Sequence, residues 1–280
     1  MTFSETSREH APSASRCPVC DADALDRTGT VAGLALRTCR RCNHHSLSTA
    51  GADLSSIYDA NYTGFRDDPV FNRKMRELLD TQVAPLIAKD ARILDVGCGN
   101  GEFLQAAKER GYRALGIDFA PAAERACEAR GLRATVGDFL THDFGADAPF
   151  DLVTMWDVVE HLPEPIEFLR RARSLLAPNG WLVLKVPVIP DRAVKVAARV
   201  PRAAGALLAA PGHIQYFTPQ NLSTLVTRAG FERVSVDHLG AVRGGSSNPL
   251  REARRVLLRR LFIVTGVAAW NSLVRAQAPG

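Results

Sequence analysis

The segment Ile93-Leu94-Asp95-Val96-Gly97-Cys98-Gly99-Asn100-Gly101-Glu102-Phe103-Leu104 constrains this chain more than any other. An apolar run of strand character enters a turn containing three glycines and leaves as the start of a helix. Gly97, Gly99 and Gly101 let the backbone bend tightly and approach a ligand without side-chain clash, and the helix N-terminus offers N–H groups to a carboxylate or phosphate. The pattern points to a nucleotide-type cofactor. A dinucleotide fingerprint would place its third glycine at position 102, where Glu102 stands, which counts against nicotinamide and flavin.

Two acidic positions narrow the choice to S-adenosylmethionine. The run Ala114-Leu115-Gly116-Ile117 ends in Asp118, where a strand-tip carboxylate can accept hydrogen bonds from both ribose hydroxyls. The next run ends in Gly137-Asp138-Phe139, with Asp138 suited to the adenine amino group and Phe139 to a flank of the ring. In the content and order of these motifs, residues 85 to 240 resemble the class I S-adenosylmethionine-dependent methyltransferases, with a methyltransferase type 11/23-like domain. The resemblance implies that Asp95, Gly97 and Gly99 border the methionine part, and Cys98 and Gly101 in the same turn are also candidates to bind the cofactor. It places Asp118 by the ribose and Asp138 by the adenine, and Phe119, Phe139 and Trp156 are further candidates to bind the cofactor.

Strands at 91–96, 113–118, 133–136, 150–155, 180–187 and 232–238 alternate with helices at 101–110, 121–130, 164–177 and 218–229. The alternation predicts an α/β fold with a Rossmann-like, doubly wound, mostly parallel sheet, seven-stranded by the resemblance, with ligands at the carboxyl ends of its strands. The expected organisation is a disordered tail (1–14), a zinc ribbon (15–48), a linker and lid helix (49–88), a methyltransferase domain (89–240) and a basic, apolar C-terminal segment (241–280). Tyr58 and Tyr62 in the linker are candidates to line an acceptor site.

The ribbon rests on Cys17-Pro18-Val19-Cys20 and Cys39-Arg40-Arg41-Cys42, two CxxC pairs eighteen residues apart. Four thiolates suit tetrahedral Zn²⁺, and a unit this short has too little core to fold without metal. With every position filled by protein, the zinc is expected to be structural. His44 and His45 are expected at the surface. Six cysteines, and no signal-peptide pattern in Met1 to Arg16, point to reduced thiols and a cytoplasmic location.

After the fourth strand comes Trp156-Asp157-Val158-Val159-Glu160-His161-Leu162-Pro163. The absence there of an Asn/Asp-Pro-Pro-Tyr sequence, or of a Pro-Cys nucleophile, counts against amino-group and cytosine-ring methylation of the kinds that use them. Asp157, Glu160, His161 and the distant His213 resemble the acidic-x-x-Glu-His…His arrangement of metal-assisted O-methyltransferases, such as those of ubiquinone biosynthesis and small-RNA 3′ ends. The pattern departs from the family by carrying Asp in the first position. Mg²⁺ is therefore one expectation; His161 or His213 as a metal-free general base is the other.

The insertion 190–211 interleaves Arg192, Lys195, Arg199 and Arg202 with Val194, Val196, Val200, Leu207 and Leu208, while Pro201 argues against one continuous helix. With Arg251, Arg254, Arg255, Arg259, Arg260 and the run Leu261-Phe262-Ile263-Val264, it suggests peripheral contact at the inner membrane face. A lid or dimer contact is the alternative. The leading expectation is a methyltransferase acting at oxygen of a small-molecule, saccharide or lipid-linked acceptor. The ribbon-plus-methyltransferase layout is similar to that of deoxysugar C-methyltransferases of antibiotic pathways. Two other readings stay open: an RNA methyltransferase using the ribbon to bind substrate, and a non-catalytic binding module.

Overall fold

The computed structural model describes residues 16–49, 69–200, 204–239 and 270–280. Tyr58, Tyr62, Pro201, Arg202, the tail 1–14 and the cluster from Arg251 to Val264 lie outside the described residues.

The N-terminal unit is a small antiparallel sheet built from β1 (Leu25–Val31), β2 (Leu34–Cys39) and β3 (His45–Leu47). Two knuckle turns flank it. Asp21 N–H donates to Cys17 O and Asn43 N–H to Cys39 O, both at 2.9 Å. Asp21 and Asn43 each take a positive φ, which short polar side chains tolerate better than most. A fourth strand, β9 (Gln215–Tyr216), joins from far along the chain and pairs antiparallel with β3.

Between these comes α1 (Pro69–Leu78), which passes through a wider turn at Leu79–Val83 into a short 3-10 turn at Ala84–Leu86. The lid helix expected to run to Ala88 thus keeps α-helical form only to Leu78, ahead of Pro85, which removes a backbone donor from the last turn. The main sheet follows: β4 (Arg92–Val96), α2 (Glu102–Glu109), β5 (Arg113–Asp118), α3 (Pro121–Ala129), β6 (Ala134–Val136) and β7 (Phe150–Trp156). It continues with α4 (Pro165–Leu175), β8 (Leu176–Val188), the insertion helices α5 (Asp191–Arg199) and α6 (Ala204–Leu208), then α7 (Pro219–Arg228), β10 (Glu232–Leu239) and β11 (Trp270–Gln277).

The seven strands lie in the order β10-β11-β8-β7-β4-β5-β6, with β11 antiparallel to both neighbours and the rest parallel. This is the seven-stranded, mostly parallel sheet expected, with one correction to the domain boundary. The strand that lies between β8 and β10 comes from 270–277, inside the segment read as an appendage, so the sheet is not complete by residue 240. Alternate strand residues feed opposite faces. Leu94, Val153, Leu182, Leu184 and Val274 join the core under α4 and α7, while Ile93, Leu152, Val183 and Leu273 join that under α1 and α2. A third core fuses the ribbon to the insertion, with Val31, Leu36 and Leu47 packed with Ala193, Val194, Ala197, Leu208 and Tyr216. The described part of the insertion forms two helices, not one. No helix among the described residues is long and apolar enough to cross a membrane.

Candidate active site

The glycine turn joins β4 to α2. Gly97 and Gly101 take φ of 71° and 76°, and a Cβ at Gly97 would sit 2.7 Å from Val158 Cγ2. No side chain caps α2, whose N-cap is Gly101, so its first turn opens toward the loop. Asp118, at the tip of β5, accepts from Gly99 N–H and Ala120 N–H, both at 3.0 Å, which ties the turn to the next strand. A carboxylate at a strand tip is also the group that accepts from ribose hydroxyls. Phe119 beside it is 46% exposed. The bare cradle, the acidic strand tip and this ring fit S-adenosylmethionine.

Asp95 is buried, and Thr154 Oγ1 donates to its Oδ1 at 2.6 Å. Burial pushes its carboxyl up to about 8, against the pull of the Thr154 hydroxyl and the Trp156 indole. Trp156 ends β7 with its ring 5.0 Å from that of Phe103. Cys98 is buried, and its neighbour Cys127 and that burial push its thiol up, which leaves it an inert packing residue. Asp138 is exposed after β6 and accepts from Leu140 N–H at 2.9 Å. Phe139 departs from expectation: it turns inward against Phe168 and Phe144, with centroids 5.5 and 6.4 Å away, so it packs the core instead of presenting an open face.

Beyond β7 the chain turns at Val159–His161. One ligand atom from each of Glu160, His161 and His213 lies within 4.8 Å of the others. Glu160 is fully buried, with Oε1 3.9 Å from His213 Nε2, and the two imidazoles meet edge-on at 4.8 Å. His161 Nδ1 lies 2.8 Å from Gly212 O. A carbonyl only accepts, so Nδ1 carries the hydrogen, and Nε2 is the ring nitrogen through which His161 can accept a proton. Tyr216 Oη donates to His213 O at 2.9 Å and steadies that segment. Asp157 stands apart from this cluster. It adopts φ 56° and pairs with the buried Lys185, so the fourth residue of the expected metal pattern is committed elsewhere.

In the ribbon, the Cys17–Cys42 and Cys20–Cys39 sulfurs are each 3.6 Å apart, and all four lie within 4.8 Å of one another. Disulfide sulfurs would be about 2.05 Å apart. A zinc–sulfur bond of about 2.3 Å in a tetrahedron sets sulfurs about 3.8 Å apart, so the four cysteines are capable of holding Zn²⁺. His44 and His45 are corrected from surface to interior. His44 Nε2 meets Gln215 Oε1, and His45 meets Thr38 Oγ1 and Asp191 Oδ1, all at 2.8 Å. Burial lowers the pKa of both imidazoles. Sequence reasoning also missed Thr154, Lys185 and Gln215. Only Gln215 had a signal, its place two residues after His213.

A protein-family profile described as methyltransferase domain matches residues 65–236. Among curated proteins, the chain is similar to the ubiquinone biosynthesis O-methyltransferase of Xanthomonas campestris pv. campestris, 36% identical over 112 residues that cover 38% of this chain and 47% of that protein. The protein of the same name from Leptothrix cholodnii is 32% identical over 100 residues, covering 33% and 43%. The chain thus spans about half the length of the curated relatives it matches. Among solved structures, a SAM-dependent methyltransferase from Archaeoglobus fulgidus matches with a TM-score of 0.53 and 20% identity, over 80% of this chain and all of that one. A sarcosine dimethylglycine methyltransferase, so described, from Galdieria sulphuraria matches with a TM-score of 0.54 and 14% identity, over 81% and 99%. At these identities the structural matches speak to the fold.

Proposed function

The chain belongs to the methyltransferase-domain family, and from that premise we propose that it transfers a methyl group from S-adenosylmethionine to a small-molecule, saccharide or lipid-linked acceptor, at oxygen. The observation that carries this reading is the Glu160–His161–His213 cluster, seated just past the carboxyl end of β7. Bound S-adenosylmethionine would supply an electrophilic sulfonium methyl. The glycine turn and Asp118 hold and orient it. His161, with Nδ1 held at Gly212 O, takes the proton of an acceptor hydroxyl at Nε2. Glu160, buried within 3.9 Å of His213, favours a positive charge developing on the imidazole pair. Positioning and water exclusion supply the rest of the rate. The names of the curated relatives support attack by oxygen.

A second reading, from the same three residues, puts a divalent ion among them to polarise the acceptor oxygen. Incubation with methyl-labelled S-adenosylmethionine and a fractionated cell extract, with and without Mg²⁺, tests both. Label in a small-molecule, saccharide or lipid fraction, lost in His161→Ala while cofactor binding persists, supports the first. Label that requires Mg²⁺ supports the second. Ribonuclease-sensitive label transfers the assignment to RNA, and no label in any fraction from a cofactor-binding protein leaves the binding-module reading.

A further inference from the structure

Gln215 is buried and satisfied at both ends of its amide. Its Nε2 donates to Leu162 O at 3.0 Å and Pro163 O at 3.2 Å, and its Oε1 lies 2.8 Å from His44 Nε2. Carbonyl oxygens only accept, so the NH₂ group must face the loop and the amide oxygen must face His44, which donates from Nε2–H. His44 belongs to the second ribbon knuckle, two residues past Cys42, and packs on Phe217 at 5.1 Å. One buried side chain thus runs from the ribbon to the far end of the turn that carries Glu160 and His161. The segment that carries Gln215 is also laced to this turn by Ile214 N–H to Glu160 O at 2.9 Å and by His161 Nδ1–H to Gly212 O. On the other side, Leu47 N–H donates to Ile214 O at 2.8 Å, and Asn221 Nδ2 donates to Cys42 O at 3.1 Å.

We propose that Gln215 is a positioning residue for the Glu160–His161–His213 cluster, anchored by His44 of the ribbon, and that it keeps His161 in the Nδ1–H form. The proposal deepens the acceptor-site reading and rests on it. Removing the amide strips the part-buried carbonyls of Leu162 and Pro163 of their shared donor, and the turn shifts to bring them to water. Gly212 O and His161 Nδ1 then part, and the tautomer loses its bias. On this account the ribbon is built into the wall of the acceptor site.

The test uses the full chain, with nitrogen-15 in the histidine rings to report tautomers, and hydrogen exchange to report local opening. The variants are Gln215→Leu and the near-isosteric Gln215→Glu, whose carboxylate cannot donate to the two carbonyls. Both should lose the Nδ1–H signature of His161 and speed exchange across residues 158–163 about tenfold, the equivalent of one buried hydrogen bond. Exchange in β4 and α2 should stay as in the unmodified chain. An unchanged His161 signature in either folded variant overturns the proposal. So does global loss of protection in both, because Gln215 would then hold the fold and not the site. Calorimetric titration with S-adenosylmethionine separates the two readings. Absence of binding by the unmodified chain sinks the methyltransferase reading, while the tautomer and exchange comparisons still report on Gln215.

Discussion

Gly97→Ala tests whether the cofactor turn and the acceptor turn press on each other. Gly97 holds φ 71°, and its added methyl would sit 2.7 Å from Val158 Cγ2, one residue before the turn that bears Glu160 and His161. A left-handed conformation costs an L-residue about 1–2 kcal/mol. Forcing a methyl into a filled space adds about 1–3 kcal/mol. The expected loss is therefore about 2–5 kcal/mol of unfolding free energy, together with weaker binding of S-adenosylmethionine. Urea unfolding and calorimetry on Gly97→Ala, Val158→Ala and the double variant apportion the loss. Val158→Ala makes room for the methyl, so the double variant should recover the steric share as a coupling of about 1–3 kcal/mol and keep the dihedral share. A single variant within about 0.5 kcal/mol of the unmodified chain, or a cycle with no coupling, would refute the packing argument.

Two further outcomes follow from buried groups. The Asp95 carboxyl sits at about 8 in the folded chain against an ordinary 3.8, so between those values the folded state keeps a proton that the unfolded chain has released. The stability this lends is complete below the ordinary value and is lost as pH rises through about 8. Asp95→Asn, which keeps an acceptor for Thr154 and never ionises, should flatten that decline; an equally steep pH profile of unfolding midpoints would dismiss burial as its cause. The purified chain should carry one zinc per molecule by elemental analysis, and Cys39→Ser should lower both the metal content and the melting temperature. A metal-free chain whose melting temperature ignores a chelator would show that the four sulfurs pack without an ion.

The sheet and the cofactor turn were legible because their signals are local. The strand at 113–118 was readable to the residue, since Ala114-Leu115-Gly116-Ile117 is a continuous apolar run ending in a carboxylate. β11 was not, because Asn271, Ser272 and Arg275 break its apolar character and its partners lie far back in the chain. Long-range partners also explain His44 and His45, which look exposed beside a metal knuckle until Gln215 and Asp191 arrive to cover them. Asp157 misled for a backbone reason: its left-handed conformation sends the carboxylate to Lys185, although its spacing from Glu160 and His161 suggested a common centre. Phe139 misled because adjacency to Asp138 says nothing of which way the ring turns.

The fourth strand of the ribbon sheet arrives 168 positions after the third ends, counting from Leu47 to Gln215. During synthesis the first three strands therefore emerge long before the residues that cover them. Until then the outer edge of β3 has unpaired backbone groups, the kind of edge that recruits stray strands from other chains. The pairing of β3 with β9 is among the most non-local contacts among the described residues, which makes its closure a late and slow event. Metal capture by the two knuckles needs only residues 17–42 and can come first, so Zn²⁺ would act as a placeholder that keeps an unfinished sheet from wandering. A chain cut before Gln215 should retain the metal knuckles yet aggregate through the bare strand.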